Sequence, residues 1–504
     1  MHRFANSPSS SSSHSHSHSH SHAALANLWT AARLPADALS QIDLPGSGPV
    51  LPSSFDVATA AQASLGAAAL AATTLWHQRS GQSQRVSVDR VHATLECTAH
   101  FAIDGVAPDL WDPLSGLYAC GGHAGKAPGW VRIHANFAHH RDGALRLLGL
   151  PVGPNTTRGA VTLALREWQA EEFELAAADA GLAVAAARSF AQWDVHPQAL
   201  ALAGQPLVAI EPIGGAAAPL PWPRLGADQR PIQRPLTGLR VLDLTRILAG
   251  PVAGRCLAAY GADVMLVNSP SLPNIGAIAD TSRGKLSTLI DLSGAPGRAQ
   301  LDALVDGAHV FLQGYRPGAL AALGYGAQAL AARRPGIVVA SLSAYGASGP
   351  WGGRRGFDSL VQTATGFNLA EAEAAAAATP NAAGPLQPKA MPMQILDYAA
   401  GHLLAFGIQA ALWRQATQGG SWQVRVSLAG VGAWLRSLGT VPNGLAVTPP
   451  DITPLLETSA CGFGASGQSE LLAVRHAVQF SATPAGWARP SMPPGSHAPA
   501  WPAS

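Results

Sequence analysis

The stretch Pro235 to Gly254, PLTGLRVLDLTRILAGPVAG, constrains the fold of this chain most. An apolar strand from Leu239 to Leu244 carries Asp243 near its end and runs into a tight turn. A helix rich in small residues opens around Ala249, Gly250 and Pro251. Strand, turn and small-residue helix start make a site for a phosphorylated ligand, because the free backbone N–H groups and the helix dipole both favour an anion there. The dinucleotide fingerprint G-x-G-x-x-G is absent: only Gly250 and Gly254 follow the strand, with Pro251 between them. That weakens a plain Rossmann oxidoreductase.

The pattern recurs downstream. Apolar runs near 239–244, 263–268, 286–291, 309–313 and 336–342 predict strands, and residues near 250–260, 296–306, 326–333 and 397–416 predict helices. Continuous apolar strands suit a parallel sheet covered on both faces. The expected fold class is α/β: a doubly wound, Rossmann-like parallel sheet plus a smaller α+β domain. Ligands in such sheets bind at the carboxyl ends of the strands.

Composition excludes several functions. The 504 residues carry a net charge of +2 with only 12% charged residues, which gives no footprint for nucleic acid or an anionic membrane. Cys97, Cys120, Cys256 and Cys461 lie far apart with no C-x-x-C pair, so no zinc or redox motif is supported. Apolar runs such as Leu65 to Leu75 and Leu403 to Leu412 are too short to span a bilayer. The N-terminus lacks a basic start followed by an apolar core, so the reading is cytoplasmic, with free thiols. Residues 1–23 are a Ser/His-rich run, expected to be disordered because it cannot bury a core. Its alternating histidines could capture a metal adventitiously; no metal site is expected.

The chain also repeats itself. Phe55 to Asp89 echoes Leu396 to Leu428: an apolar residue and Asp, an Ala-rich helix ending in Leu-Trp, a polar turn, and a Val-x-Val strand. This pairs Asp56 with Asp397. Asp favours helix N-caps, so either residue could be a cap; Asp56, without upstream strands to build a pocket, reads as a cap or a relic.

Five segments in order resemble family III coenzyme A transferases, the group of formyl-CoA and carnitine CoA-transferases. They are Pro235 to Gly254, GADVMLVNSP from Gly261, SRGKLSTLIDL from Ser282, GYRPGALAALG from Gly314 with the following run to Pro350, and ILDYAAGHLLAFGIQAALWR from Ile395. Gly129 to Pro151 and Ser189 to Ile210 resemble the family's small domain, and His476 to His497 its closing segment. The resemblance implies residues 24–221 as a partial Rossmann-like repeat with the small domain, 222–235 as a linker, 236–440 as the CoA-binding catalytic domain, and 441–504 as a segment packing back on the core. The small domain precedes the fuller Rossmann-like half, the reverse of ordinary members. The resemblance implies a homodimer, and the reordering leaves open whether the small domain acts in cis.

By the same resemblance, Asp397 is the nucleophile that attacks an acyl-CoA thioester, and CoA passes to a small carboxylic acid without a tightly bound cofactor. CoA would be lined by Arg246, Ile247, Leu248 and Ala249, with Tyr315, Pro317 and Gly318 at the adenine end and Tyr345 along the pantetheine path. Arg283 and Lys285 are candidate phosphate partners, or else solvated surface cations. Gly121, Gly122 and Gly125 could form a loop that closes over Asp397, or an inert surface loop. The Ala-rich run from Glu371 to Gly384 reads as a flexible loop. Racemases of the family carry His in a G-H-D segment; here Gly356-Phe357-Asp358 stands in its place, which argues against racemisation. His134, His139 and His140 lack metal-ligand spacing and read as packing or surface residues. The competing readings are a CoA-binding homologue without catalysis and an acyl-CoA racemase or lyase on the same fold, the latter disfavoured by Phe357.

Overall fold

The computed structural model describes residues 13–123, 125–215, 218, 233–378, 386–464 and 467–502. At its centre is a seven-stranded sheet. Its spatial order is Leu286–Leu289, Asp263–Asn268, Arg240–Leu244, Val310–Gln313, Val338–Ser343, Ser421–Ser427 and Ala209–Ile213. The first six strands are parallel and the last is antiparallel. Numbered along the chain, the parallel strands run 3-2-1-4-5-6, the doubly wound order. The order in which successive strands are laid down reverses between Arg240–Leu244 and Val310–Gln313, which stay parallel, and this switch point is where such sheets bind ligands. Strands and helices fall where the apolar runs indicate, and the α/β class holds.

Two Ala-rich helices of 24 residues each, Val57–Ser80 and Ile395–Gln418, pack side by side beneath the sheet. These are the helices of the sequence repeat. Ala and Gly faces let them approach closely, and Gln409 Nε2 reaches across to the carbonyl of Ala68 at 2.9 Å. Ile395–Gln418 is the one helix among the described residues long and apolar enough to cross a bilayer, yet 94% of its apolar window is buried within the fold. It is a core helix. On its other side lies Ala249–Ala259, and a Cβ on Gly401 would stand 2.5 Å from the carbonyl oxygen of Ala249. Only glycine permits that contact.

The small domain is a three-stranded antiparallel sheet, Gly116–Cys120, Gly129–Ile133 and Val184–Ala186, with its own core around Val131, Leu145 and Phe173. It packs in cis on the half that carries the seven-stranded sheet: Gly129–Ile133 and Val184–Ala186 lie against the helix Asp358–Ala364. The last residues return to the core. Trp487 Nε1 donates to the carbonyl of Arg255 at 3.0 Å, and Trp501 Nε1 to that of Leu304 at 2.9 Å.

Two expectations of disorder are corrected. A helix, Ser13–Ala31, takes in the alternating histidines, because its Ala/Leu-rich second half packs against Val57–Ser80 and extends the helix backward. The run from Glu371 begins inside a second helix, Phe367–Ala378, anchored by buried Glu371, which accepts from Ser53 Oγ and from the Ser54 amide at 3.1 Å. The linker expected at 222–235 lies mostly outside the described residues, as do residues 1–12 and 379–385.

Candidate active site

Asp397 is the third residue of the core helix. The cap position belongs to Gln394, and no described group donates to the Asp397 carboxylate. Its counterpart Asp56 behaves differently: it caps Val57–Ser80 by accepting from the Thr59 amide at 2.9 Å and pairs with Arg90 at 2.7 Å. One copy of the repeat therefore holds a satisfied structural acid, and the other a bare one. Asp397 is only 9% exposed, and burial together with the nearby charge of Asp358 pushes its carboxyl well above the ordinary range.

Asp358, which the sequence reading did not single out, begins its own helix beside Asp397. Its Oδ2 accepts the Asp397 amide at 2.9 Å, and its Oδ1 accepts Gln362 Nε2 at 2.5 Å. Burial pushes its carboxyl up to about 7, against the pull of these hydrogen bonds and of Arg132. The signal was in the Gly356-Phe357-Asp358 segment, where attention went to the missing His.

Arg246, Ile247 and Leu248 form the turn after the first parallel strand, and Ala249 opens the helix. Ile247 has φ +77, a strained value for a β-branched residue and a mark of a backbone held for a purpose. Arg246 donates to the carbonyl of Pro273 and lies with its guanidinium 5.8 Å from the ring of Phe137 in the small domain. The charge of Arg355 lowers the basicity of Arg246, and that of Arg316 lowers the basicity of Arg355, each beside a larger effect of burial. Among the described residues none of the three has a carboxylate partner. Arginines without a carboxylate partner on the loops after strands 1, 4 and 5 are candidates to attract an anion to the carboxyl edge of the sheet. Arg316 and Arg355 were missed, although Arg316 lies between Tyr315 and Pro317.

A cleft of about 870 Å³ lies at the carboxyl ends of the fourth to sixth strands, lined by Gln313, Arg316, Pro317, Gly318, Ser341 and Ser343 among others. Tyr315 sits half-buried at its edge, its amide donating to Gln313 Oε1 at 2.9 Å. Asp397 is not in this lining; the cleft and the acid are separate parts of one sheet edge.

Three expected roles meet contrary geometry. Lys285 is fully buried, with Nζ donating to Asp243 Oδ2 and to the Pro251 carbonyl, both at 2.8 Å. Arg283 is bound to Asp280 at 2.5 Å and to Glu457 at 3.2 Å, and lies 3.8 Å from the ring of Trp487. Their charges are engaged inside the protein, so they are not placed for phosphate. Tyr345 is 2% exposed, edge-on to Trp351 at 4.9 Å, with its carbonyl accepting Gln198 Nε2; it is a packing residue. Gly121, Gly122 and Gly125 all have positive φ in the hairpin loop of the small domain. The Gly121 amide donates to the Leu165 carbonyl and that of Gly122 to Lys126, which ties the loop to its own domain. No hydrogen bond among the described residues joins it to Asp397.

The model of CoA-transferase family III matches residues 236–441. A protein named "Probable fatty acyl-CoA transferase" in Mycobacterium tuberculosis is 34% identical over 218 residues, covering 40% of this chain and 53% of that protein. The succinate–glutarate CoA-transferase of Agrobacterium fabrum is 31% identical over 216 residues, covering 39% of this chain and 52% of its own length. A crystal structure of the M. tuberculosis protein is 34% identical, covers 40% of this chain and 58% of that one, and has a TM-score of 0.34. The chain spans about half the length of these curated relatives.

Proposed function

Residues 236–441 are a domain of CoA-transferase family III, and from that premise we propose that the protein moves CoA from an acyl-CoA to a carboxylic acid through covalent chemistry on Asp397. The observation that carries this reading is the bare carboxylate of Asp397, buried, uncapped and beside the sheet's ligand-binding edge. A desolvated carboxylate is a stronger nucleophile than a hydrated one once its proton has gone.

Oδ of Asp397 attacks the thioester carbonyl; the C–S bond breaks, CoA thiolate leaves and a mixed anhydride remains. The thiolate attacks the aspartyl carbon, giving an aspartyl-CoA thioester and the donor acid. The acceptor carboxylate then attacks the aspartyl carbon and expels thiolate, which takes the new acyl group and restores Asp397. Each step exchanges one nucleophile for one leaving group, so no redox or metal cofactor enters the balance. Arg246, Arg316 and Arg355 would hold the phosphates of CoA, where planar guanidinium groups suit phosphate oxygens.

A second reading, a CoA-binding homologue without turnover, draws on the internal engagement of Arg283 and Lys285. Intact-protein mass spectrometry separates the two. After mixing with an acyl-CoA panel, a transferase gains a mass that fits acyl or CoA and is absent in Asp397→Ala; a binder gains none while still binding CoA.

A further inference from the structure

The seam between the small domain and Asp358 holds a group of buried polar side chains that the proposed chemistry has not used. Arg132 is 7% exposed and its Nη1 has no hydrogen-bond partner among the described residues. His134 is 5% exposed, and neither of its ring nitrogens has a partner. His140 is 3% exposed with Nδ1 unpartnered. The three are neighbours around two aromatic rings. His134 stacks on Phe357 with centroids 3.9 Å apart and planes 13° from parallel. Trp111 lies edge-on to His134 at 5.7 Å, and the Arg132 guanidinium is 5.6 Å from the same indole.

Leaving a guanidinium buried and unpaired is costly, and folds retain such groups where something else supplies the partner. Asp358 is the acid nearest to hand, and its charge is felt at Arg132. Yet both Asp358 oxygens are already taken, by the Asp397 amide and by Gln362. Arg132 thus lies within the field of Asp358, which is itself bonded to the Asp397 amide, and keeps Nη1 unpartnered among the described residues. His134, one residue past the same strand, adds a ring stacked on Phe357 whose nitrogens have no partner among the described residues.

We propose that Arg132 and His134 form the subsite that receives the carboxylate of the acceptor acid and, in the reverse sense, of the released donor acid. This rests on the CoA-transfer reading given above and specifies its second substrate site. Two donors of Arg132 match the two oxygens of a carboxylate, and Phe357 and Trp111 supply walls for a short carbon chain. Asp397 is itself nearly covered, so a thioester that reaches it must displace the packing around it. The placement of this subsite on the small domain gives that domain a role in cis.

The test uses full-length protein and two titrations followed by calorimetry: CoA alone, then acetate, oxalate, succinate or benzoate into protein saturated with CoA. At least one acid is expected to bind the parent protein. Arg132→Gln should weaken that acid by roughly tenfold or more and His134→Asn by a smaller factor, with Arg132→Lys in between, while CoA affinity stays within about twofold in all three. Unchanged acid binding in Arg132→Gln and His134→Asn, or no acid bound by the parent protein, overturns the subsite and leaves the CoA reading standing. Acid binding that falls in the variants of a protein with no affinity for CoA keeps the subsite and removes the CoA reading. Should Arg132→Gln lose CoA as well through misfolding, Arg132→Lys and His134→Asn decide by the same criteria.

Discussion

The backbone amide of Asp397 donates to Oδ2 of Asp358 at 2.9 Å, which fixes one buried acid directly beside another. The charge of Asp358 then disfavours ionisation of Asp397, so the two protons leave the pair in linked steps. Asp397 must lose its proton before it can attack a thioester, so the acid limb of turnover belongs to this pair.

Asp358→Asn keeps an acceptor for the Asp397 amide and removes the like charge. The acid limb of kcat/KM should move to lower pH, because Asp397 then ionises more easily. A pH profile between about 5 and 9 measures it. A limb that stays in place or moves to higher pH contradicts the coupling.

The same pair sets a stability trend. Asp358 titrates near 7 in the fold against 3.8 ordinarily, and Asp397 is raised in the same direction. Folded protein therefore holds protons that the unfolded chain releases in this window, and the stability they give, complete below the ordinary value, is lost as pH rises towards 7 and beyond. Asp397→Asn removes one such group. Its melting temperature relative to the parent should be higher at pH 8 than at pH 4 by roughly 3 °C or more, read from thermal melts. A difference independent of pH would contradict the raised carboxyl.

Much of this architecture was readable in the chain, and the reasons differ by element. The parallel strands were legible because burial on both faces leaves unbroken apolar runs such as Val264 to Val267. Asp397 stands out through its segment, although the residue alone looks like a cap; the position of Gln394 and the absence of a described donor are what separate it from Asp56. Lys285 and Arg283 misled because a cation near a phosphate-binding turn looks the same whether it faces solvent or an internal carboxylate, and the choice lies in the partners Asp243 and Asp280. Arg132 could not be found by spacing, since it meets Asp358 only where the small domain packs on the helix Asp358–Ala364, and Arg355 meets Arg246 only where loops after separate strands converge. Residues 13–23 of the Ser/His run are helical although composition alone suggests disorder, because composition reports what a segment lacks, and here its neighbour Ala24–Ala32 supplies the anchor.

The two classes of cation should separate in experiment. Arg316→Ala and Arg355→Ala should each raise KM for an acyl-CoA by roughly tenfold with kcat little changed and melting unaltered. Lys285→Met should leave Asp243 buried without its partner and cost roughly 3–5 kcal/mol of stability by denaturant unfolding. An unchanged KM in both arginine variants would remove them from the CoA site.

Gly401 is set by contact with the helix that opens the CoA turn. Gly401→Ala would press its methyl against the Ala249 carbonyl, 2.5 Å away, a backbone atom that cannot swing aside. The helices must part, at a cost of roughly 1–3 kcal/mol. Chemical denaturation measures it, and weakened CoA binding should accompany the loss. A variant as stable as the parent would mean that the two helices yield more freely than their packing indicates.

The covalent role of Asp397 is tested most directly by mass. Protein mixed with acetyl-CoA, succinyl-CoA and longer acyl-CoAs is expected to gain a mass fitting acyl or CoA, mapped by peptide fragmentation to Asp397 and absent in Asp397→Ala. An adduct on another residue, or turnover undiminished in Asp397→Ala, would contradict it.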